Sequence, residues 1–110
     1  MMAFVLNRKI KKAMKRTRSA FADSVPSIAD HFFYGVVEIN PRSLAMWYVF
    51  QTDEELTQAR ESGLCEGIAE ATVRHLEQLR YPADPRGLVY FASWQEINQS
   101  TDGDPRLYFQ

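Results

Sequence analysis

Apolar positions recur at helical spacing along the first fifth of the chain. Leu6, Ile10, Ala13, Met14, Thr17 and Phe21 lie three or four residues apart, which predicts an amphipathic helix over residues 4–21. Pro26 stops any helix before it, and Ser24 and Ser27 offer local capping, so residues 22–31 read as a connector. The pattern then changes. Phe32 to Asn40 is rich in aromatic and β-branched residues and predicts a strand. Asn40-Pro41-Arg42-Ser43 has turn chemistry. Leu44 to Gln51 is almost continuously apolar, as a central strand covered on both faces would be. The short turn predicts that the two strands form an antiparallel hairpin.

Helical signals return at Thr52-Asp53-Glu54-Glu55, a capping box in which the Thr52 hydroxyl takes the Glu55 amide and the Glu55 carboxylate reaches back. Asp53 and Glu54 also suit the positive end of the helix dipole. This helix is expected to run to Ser62, with Gly63 as its C-terminal cap. A second helix follows from Cys65 to Arg80, with Cys65, Ile68, Ala69, Thr72, Leu76 and Leu79 as its buried stripe. Pro82 and Pro85 end it. Gly87 to Ala92 predicts a third strand, and Ser93-Trp94-Gln95-Glu96 is a second capping box opening a helix to about Gln99. Residues 100–105 read as a loop, and Arg106 to Phe109 as a short edge strand. The expected fold is α+β. A small, mostly antiparallel sheet of three to four strands carries helices mainly on one face, preceded by a basic N-terminal helix.

At 110 residues the chain fits one domain, with residues 1–22 as the basic helix and 32–110 as the α+β body. An apolar content of 45% suffices for one core. The net charge of -1 conceals an uneven distribution. Arg8, Lys9, Lys11, Lys12, Lys15, Arg16 and Arg18 give residues 1–22 a charge of +7, since no acid precedes Asp23, and the remainder carries -8. Such a split predicts an electrostatic partner for one part or both, or a basic helix folded onto the acidic body. Crowded cations destabilise an isolated helix, so this one needs packing or an anionic partner.

Little in the chain suggests catalysis. A lone Cys forms no intramolecular disulfide and no Cys-built zinc site, which suits a reducing, cytoplasmic setting. Cys65 and His75 lie ten positions apart on one predicted helix, about 15 Å at 1.5 Å per residue, so they share no metal. Cys65 falls on an apolar stripe, where an inert core thiol is expected, although a fold that brought it to His31 would form a nucleophile pair. The carboxylate pair Glu66 and Glu70 lacks a second constellation to orient a substrate. No phosphate-cradling glycine loop is present, and no metal or cofactor is expected. Arg86 to Phe91 echoes the aromatic strand of an RNA-recognition motif, but the element order differs and Leu88 stands where that motif has an aromatic residue.

The seven cations are the better nucleic-acid candidate. Asn7 is the only amide side chain among them suited to base readout, so binding would be largely sequence-independent. A membrane surface would attract the same helix, whose first residues, Met1 to Leu6, are apolar. The acid-free N-terminus also has the character of an organellar transit peptide. No apolar run approaches the roughly 20 residues of a spanning helix. The C-terminal Leu107 to Gln110 matches the end of a protease-tag scar, but Pro105 and Arg106 depart from it, and these residues are read as native.

From Phe32 onward the plan resembles small bacterial immunity proteins, including those that accompany contact-dependent growth-inhibition toxins. The resemblance rests on the aromatic hairpin, the helix capped by Thr52 and Glu55, and the strand leading into Ser93-Trp94-Gln95-Glu96. It extends through the Gly-containing turn before Leu107-Tyr108-Phe109. It implies a non-enzymatic protein that binds one cognate toxin and blocks its active site. The -8 carried by residues 23–110 would complement a cationic cleft such as that of a nuclease. The expected contact residues are Asp53, Glu54, Glu55, Glu61, Glu66 and Glu70, with Trp94 as an aromatic anchor and Trp47 in the core. The alternatives are a nucleic-acid-binding accessory protein using Arg8 to Arg18, and an oligomerisation module whose N-terminal helix docks on a second subunit.

Overall fold

A computed structural model describes residues 4–101. Helix α1 spans Val5–Ala20, strand β1 Asp30–Tyr34 and strand β2 Ala45–Phe50. Helices α2 (Asp53–Glu61) and α3 (Leu64–Gln78) follow, then strand β3 (Val89–Ser93) and helix α4 (Trp94–Thr101). The class is α+β, as expected.

The sheet has the order β1-β2-β3. β1 and β2 pair antiparallel, with Phe32 opposite Trp47. β2 and β3 pair parallel, with Trp47 opposite Tyr90. The sheet is therefore mixed, and the expected antiparallel arrangement holds for one of its two pairs. Two helices separate β2 from β3, long enough to return the chain to the start of the sheet, as a parallel neighbour requires. The proposed edge strand Arg106 to Phe109, with the turn before it, lies outside the described residues.

The expected hairpin is displaced. β1 ends at Tyr34, six residues before the predicted Asn40. Gly35 adopts φ +132, and a Cβ there would meet the Ser43 carbonyl oxygen at 2.6 Å. Only glycine fits that close backbone approach. The chain then turns on itself: the Ile39 and Asn40 amides donate to the Val36 carbonyl at 2.9 and 2.8 Å. A short 3-10 turn, Pro41–Ser43, leads into β2, with the Asn40 side chain accepting from the Arg42 amide. Val36 to Asn40 thus has strand-like composition without being a strand.

The core lies between the sheet and helices α1 to α3. Met46, Tyr48 and Phe50 of β2 meet Ile10, Ala13 and Met14 of α1, Leu56 and Ala59 of α2, and Ile68 and Leu76 of α3. The alternate residue Val49 points to the other face, where it packs with Ala92 and Ile97, flanked by Phe32, Trp47 and Trp94. Helices sit mainly on one face, and α4 seals part of the second. On α3 the buried stripe is Cys65, Ile68, Ala71, Thr72 and Leu76; Ala71 takes the place expected for Ala69.

α1 is part of this core. Ile10, Ala13, Met14 and Thr17 are fully buried. Three hydroxyls tie α1, β2 and α3 together. The Tyr48 hydroxyl lies 2.7 Å from Thr72 Oγ1, which donates to the Ile68 carbonyl at 2.8 Å. Thr17 donates to the Ala13 carbonyl and sits 3.3 Å from Thr72 Oγ1. Of the two arrangements the charge split allows, the one observed is the helix folded onto the body.

In both predicted capping boxes the hydroxyl half forms. Thr52 Oγ1 accepts from the Glu55 amide at 3.1 Å, and the Glu55 carboxylate takes the Gln51 amide, one residue earlier than the motif implies. Ser93 Oγ accepts from the Glu96 amide at 3.0 Å and donates to the Asp53 carboxylate. The two boxes are joined further by the Asp53 amide donating to Gln95 Oε1.

Candidate functional site

The cations of the first segment and the candidate carboxylates of α2 and α3 stand on different helices. On α1, Ile10, Ala13, Met14 and Thr17 face inward, so the cations are driven to the outside. Arg8, Lys11, Lys12, Lys15 and Arg16 are exposed, and none of them forms an ion pair among the described residues. Lys9 is half-buried and reaches the Arg80 carbonyl at 3.3 Å. Arg18 is the exception. Its guanidinium donates to the Ala29 carbonyl at 3.0 Å and to His31 Nδ1 at 3.1 Å, with Asp30 at 3.9 Å. It pins the connector to α1 and has little capacity left for an external ligand.

The Arg18 contact fixes the His31 tautomer. Arginine only donates, so Nδ1 is an acceptor and the proton of the neutral ring sits on Nε2. Burial, helped by the neighbouring Arg18 charge, lowers the His31 pKa against the opposing pull of Asp30. His31 lines an open groove of about 670 Å3 between α1 and the connector, beside Lys11, Lys15, Ser19 and Phe21.

α2 and α3 carry the candidate carboxylates together with the exposed Arg60 and Arg74. Asp53 and Glu55 are engaged at the start of α2, one by Ser93 and the other by the Gln51 amide. Glu54, Glu61, Glu66 and Glu70 are exposed and unpaired among the described residues. Glu54 and Glu61 lie two turns apart on one side of α2, and Glu66 and Glu70 one turn apart on α3, with the Gly63 junction between the pairs. The caps that stop α2 from fraying also hold these side chains on fixed backbone. Trp94 is half-buried, its ring 6.4 Å from that of Phe32. Trp47 is half-buried and stacks on Tyr90 at 5.0 Å, on the aromatic face of the sheet rather than in the deep core.

Cys65 is buried in the core, and burial pushes its thiol pKa up to about 11 against the opposing Arg60 charge. Its thiolate is therefore scarce at neutral pH. His31 is engaged with Arg18, and no hydrogen bond joins it to Cys65. Among the described residues no three His, Cys, Asp or Glu side chains cluster as a metal site would require. No described helix is long and apolar enough to cross a membrane.

One feature escaped the sequence reading. Val36 and Ile39, placed in a strand there, are 61% and 85% exposed. They sit against the first turn of α1, because the Glu38 carboxylate between them accepts from the Leu6 and Asn7 amides at 3.2 and 2.9 Å. The signals were Gly35 before them and Asn40-Pro41 after them, which bracket a turn. No protein-family model, curated protein or solved structure matches this chain.

Proposed function

We propose that the protein is a non-enzymatic binding protein of the toxin-immunity type, docking a cognate toxin through its acidic α2–α3 surface. The observation that carries this reading is the set Glu54, Glu61, Glu66 and Glu70. These four carboxylates are exposed, unpaired among the described residues and mounted on capped helices. An anionic face of this kind speeds encounter with a cationic cleft and fixes its orientation. Asp53 and Glu55 fix the start of α2 rather than lead the contact, because their carboxylates are already engaged. A cytoplasmic location and a nuclease as the toxin fit the same reading.

The test is kinetic. The triple variant Glu54→Lys, Glu61→Lys, Glu66→Lys should associate with the toxin at least tenfold more slowly at low salt, with a flatter salt dependence. An unchanged association rate would remove this surface from the interface.

The cationic face of α1 supports a second reading, sequence-independent binding of a phosphate backbone. Oligomerisation through the apolar stripe of α1 is disfavoured, since that stripe packs on α3 of the same chain.

A further inference from the structure

The cations of α1 do not stand alone on their surface. With about 100° between successive helix positions, Val5, Arg8, Lys12 and Lys15 fall opposite the buried residues Ile10, Ala13, Met14 and Thr17, and Phe4 caps the same end in a left-handed conformation. One outward stripe therefore begins apolar and continues basic. Phe4 is 61% exposed and Val5 38%. The turn carrying Val36 and Ile39 is bonded to the same end of α1 through Glu38. Four of the seven exposed large apolar residues are thus gathered at one tip. The one acid within it, Glu38, is turned onto two helix amides, where the positive end of the helix dipole offsets its charge.

We propose that this tip docks peripherally on an anionic lipid surface. Phe4, Val5, Val36 and Ile39 enter the boundary between headgroups and acyl chains, while Arg8, Lys12 and Lys15 meet the lipid phosphates. Apolar tip and cations suit different depths of the same interface, as in interfacial amphipathic helices. A nucleic-acid backbone would use the cations and leave the apolar residues in water. A lipid surface uses both. The body remains folded on the far side of α1, because the stripe is opposite the face that packs on α3. Each basic residue held near an anionic surface strengthens binding by roughly fivefold, so three of them with a small apolar insertion give reversible, salt-sensitive attachment.

The experiment is co-sedimentation of the intact protein with phosphatidylcholine vesicles, with and without phosphatidylglycerol, over a salt series. Binding should appear only with phosphatidylglycerol and weaken as salt rises. Ile39→Asp changes a residue that is 85% exposed, so the fold should be kept, as thermal melting would verify; vesicle binding should fall at least fivefold. Lys12→Glu with Lys15→Glu should abolish it. Equal binding to both vesicle types, no binding to either, or full binding by Ile39→Asp would each overturn the proposal. Retention on short duplex DNA that Ile39→Asp leaves unchanged, without vesicle binding, would assign the cations to nucleic acid instead. None of these outcomes bears on the acidic surface, so the toxin-binding reading stands or falls separately.

Discussion

Tyr48 shows how a single buried group sets a property of the whole protein. Its side chain is fully buried where α1, β2 and α3 meet, and its hydroxyl is held by Thr72. Burial pushes its pKa up to about 12 from an ordinary 10.0, against the lesser, lowering effect of the Thr72 and Thr17 hydroxyls. The folded state therefore holds this proton more tightly than the unfolded chain does. The associated stability is complete below pH 10 and is lost as pH rises towards 12, by about 2–3 kcal/mol in total. Tyr81, whose hydroxyl donates to the Pro41 carbonyl, is raised to about 12 mainly by burial and shares the effect. Denaturant midpoints measured across this range should fall steeply for the wild type. They should fall less steeply for Tyr48→Phe, at a cost of about 1 kcal/mol at neutral pH. A parallel fall in both proteins would show that Tyr48 does not contribute to the alkaline transition.

At the scale of elements, local signals were legible and tertiary ones were not. The limits of α1 and the starts of α2 and α4 follow from periodicity and from Thr52 and Ser93, because capping is decided within four residues. The parallel pairing of β3 depends on how α2 and α3 carry the chain across the sheet, and no stretch of residues encodes that alone. The false strand at Val36 to Asn40 has the right composition, yet the contact between Gly35 and Ser43, eight positions away, decides its course. The candidate acidic residues were legible as exposed charges, but the engagement of Asp53 by Ser93 lies 40 positions away in sequence and appears only in the fold. α1 makes the clearest element-scale prediction. It places four fully buried residues in the core, and two other secondary elements depend on them. Deleting residues 1–22 should abolish cooperative thermal unfolding. Met14→Ala alone should cost about 2–5 kcal/mol. A truncated body that melts cooperatively near the wild-type temperature would show α1 to be an appendage.

The whole molecule carries its exposed cations on the outer side of α1 and exposed carboxylates on α2 and α3, while the faces on which these helices pack are apolar. α1 joins the body through apolar contacts, a hydroxyl cluster and a capping carboxylate, with the Arg18–Asp30 pair as the ionic link among the described residues. Among the described residues, Arg8, Lys11, Lys12, Lys15 and Arg16 are therefore not neutralised by ion pairs with the body. The proposed partners differ accordingly: a cationic protein would meet the carboxylates of α2 and α3, and an anionic surface the tip and outer stripe of α1. The toxin-binding reading is tested by capturing the tagged protein with its partner from the native host at moderate salt, and titrating the purified partner's activity with the free protein. Complete inhibition at a one-to-one ratio, lost in the Glu54, Glu61 and Glu66 charge-reversal variant, is the expected result. A partner whose activity is unaffected by saturating amounts of the wild-type protein would contradict it.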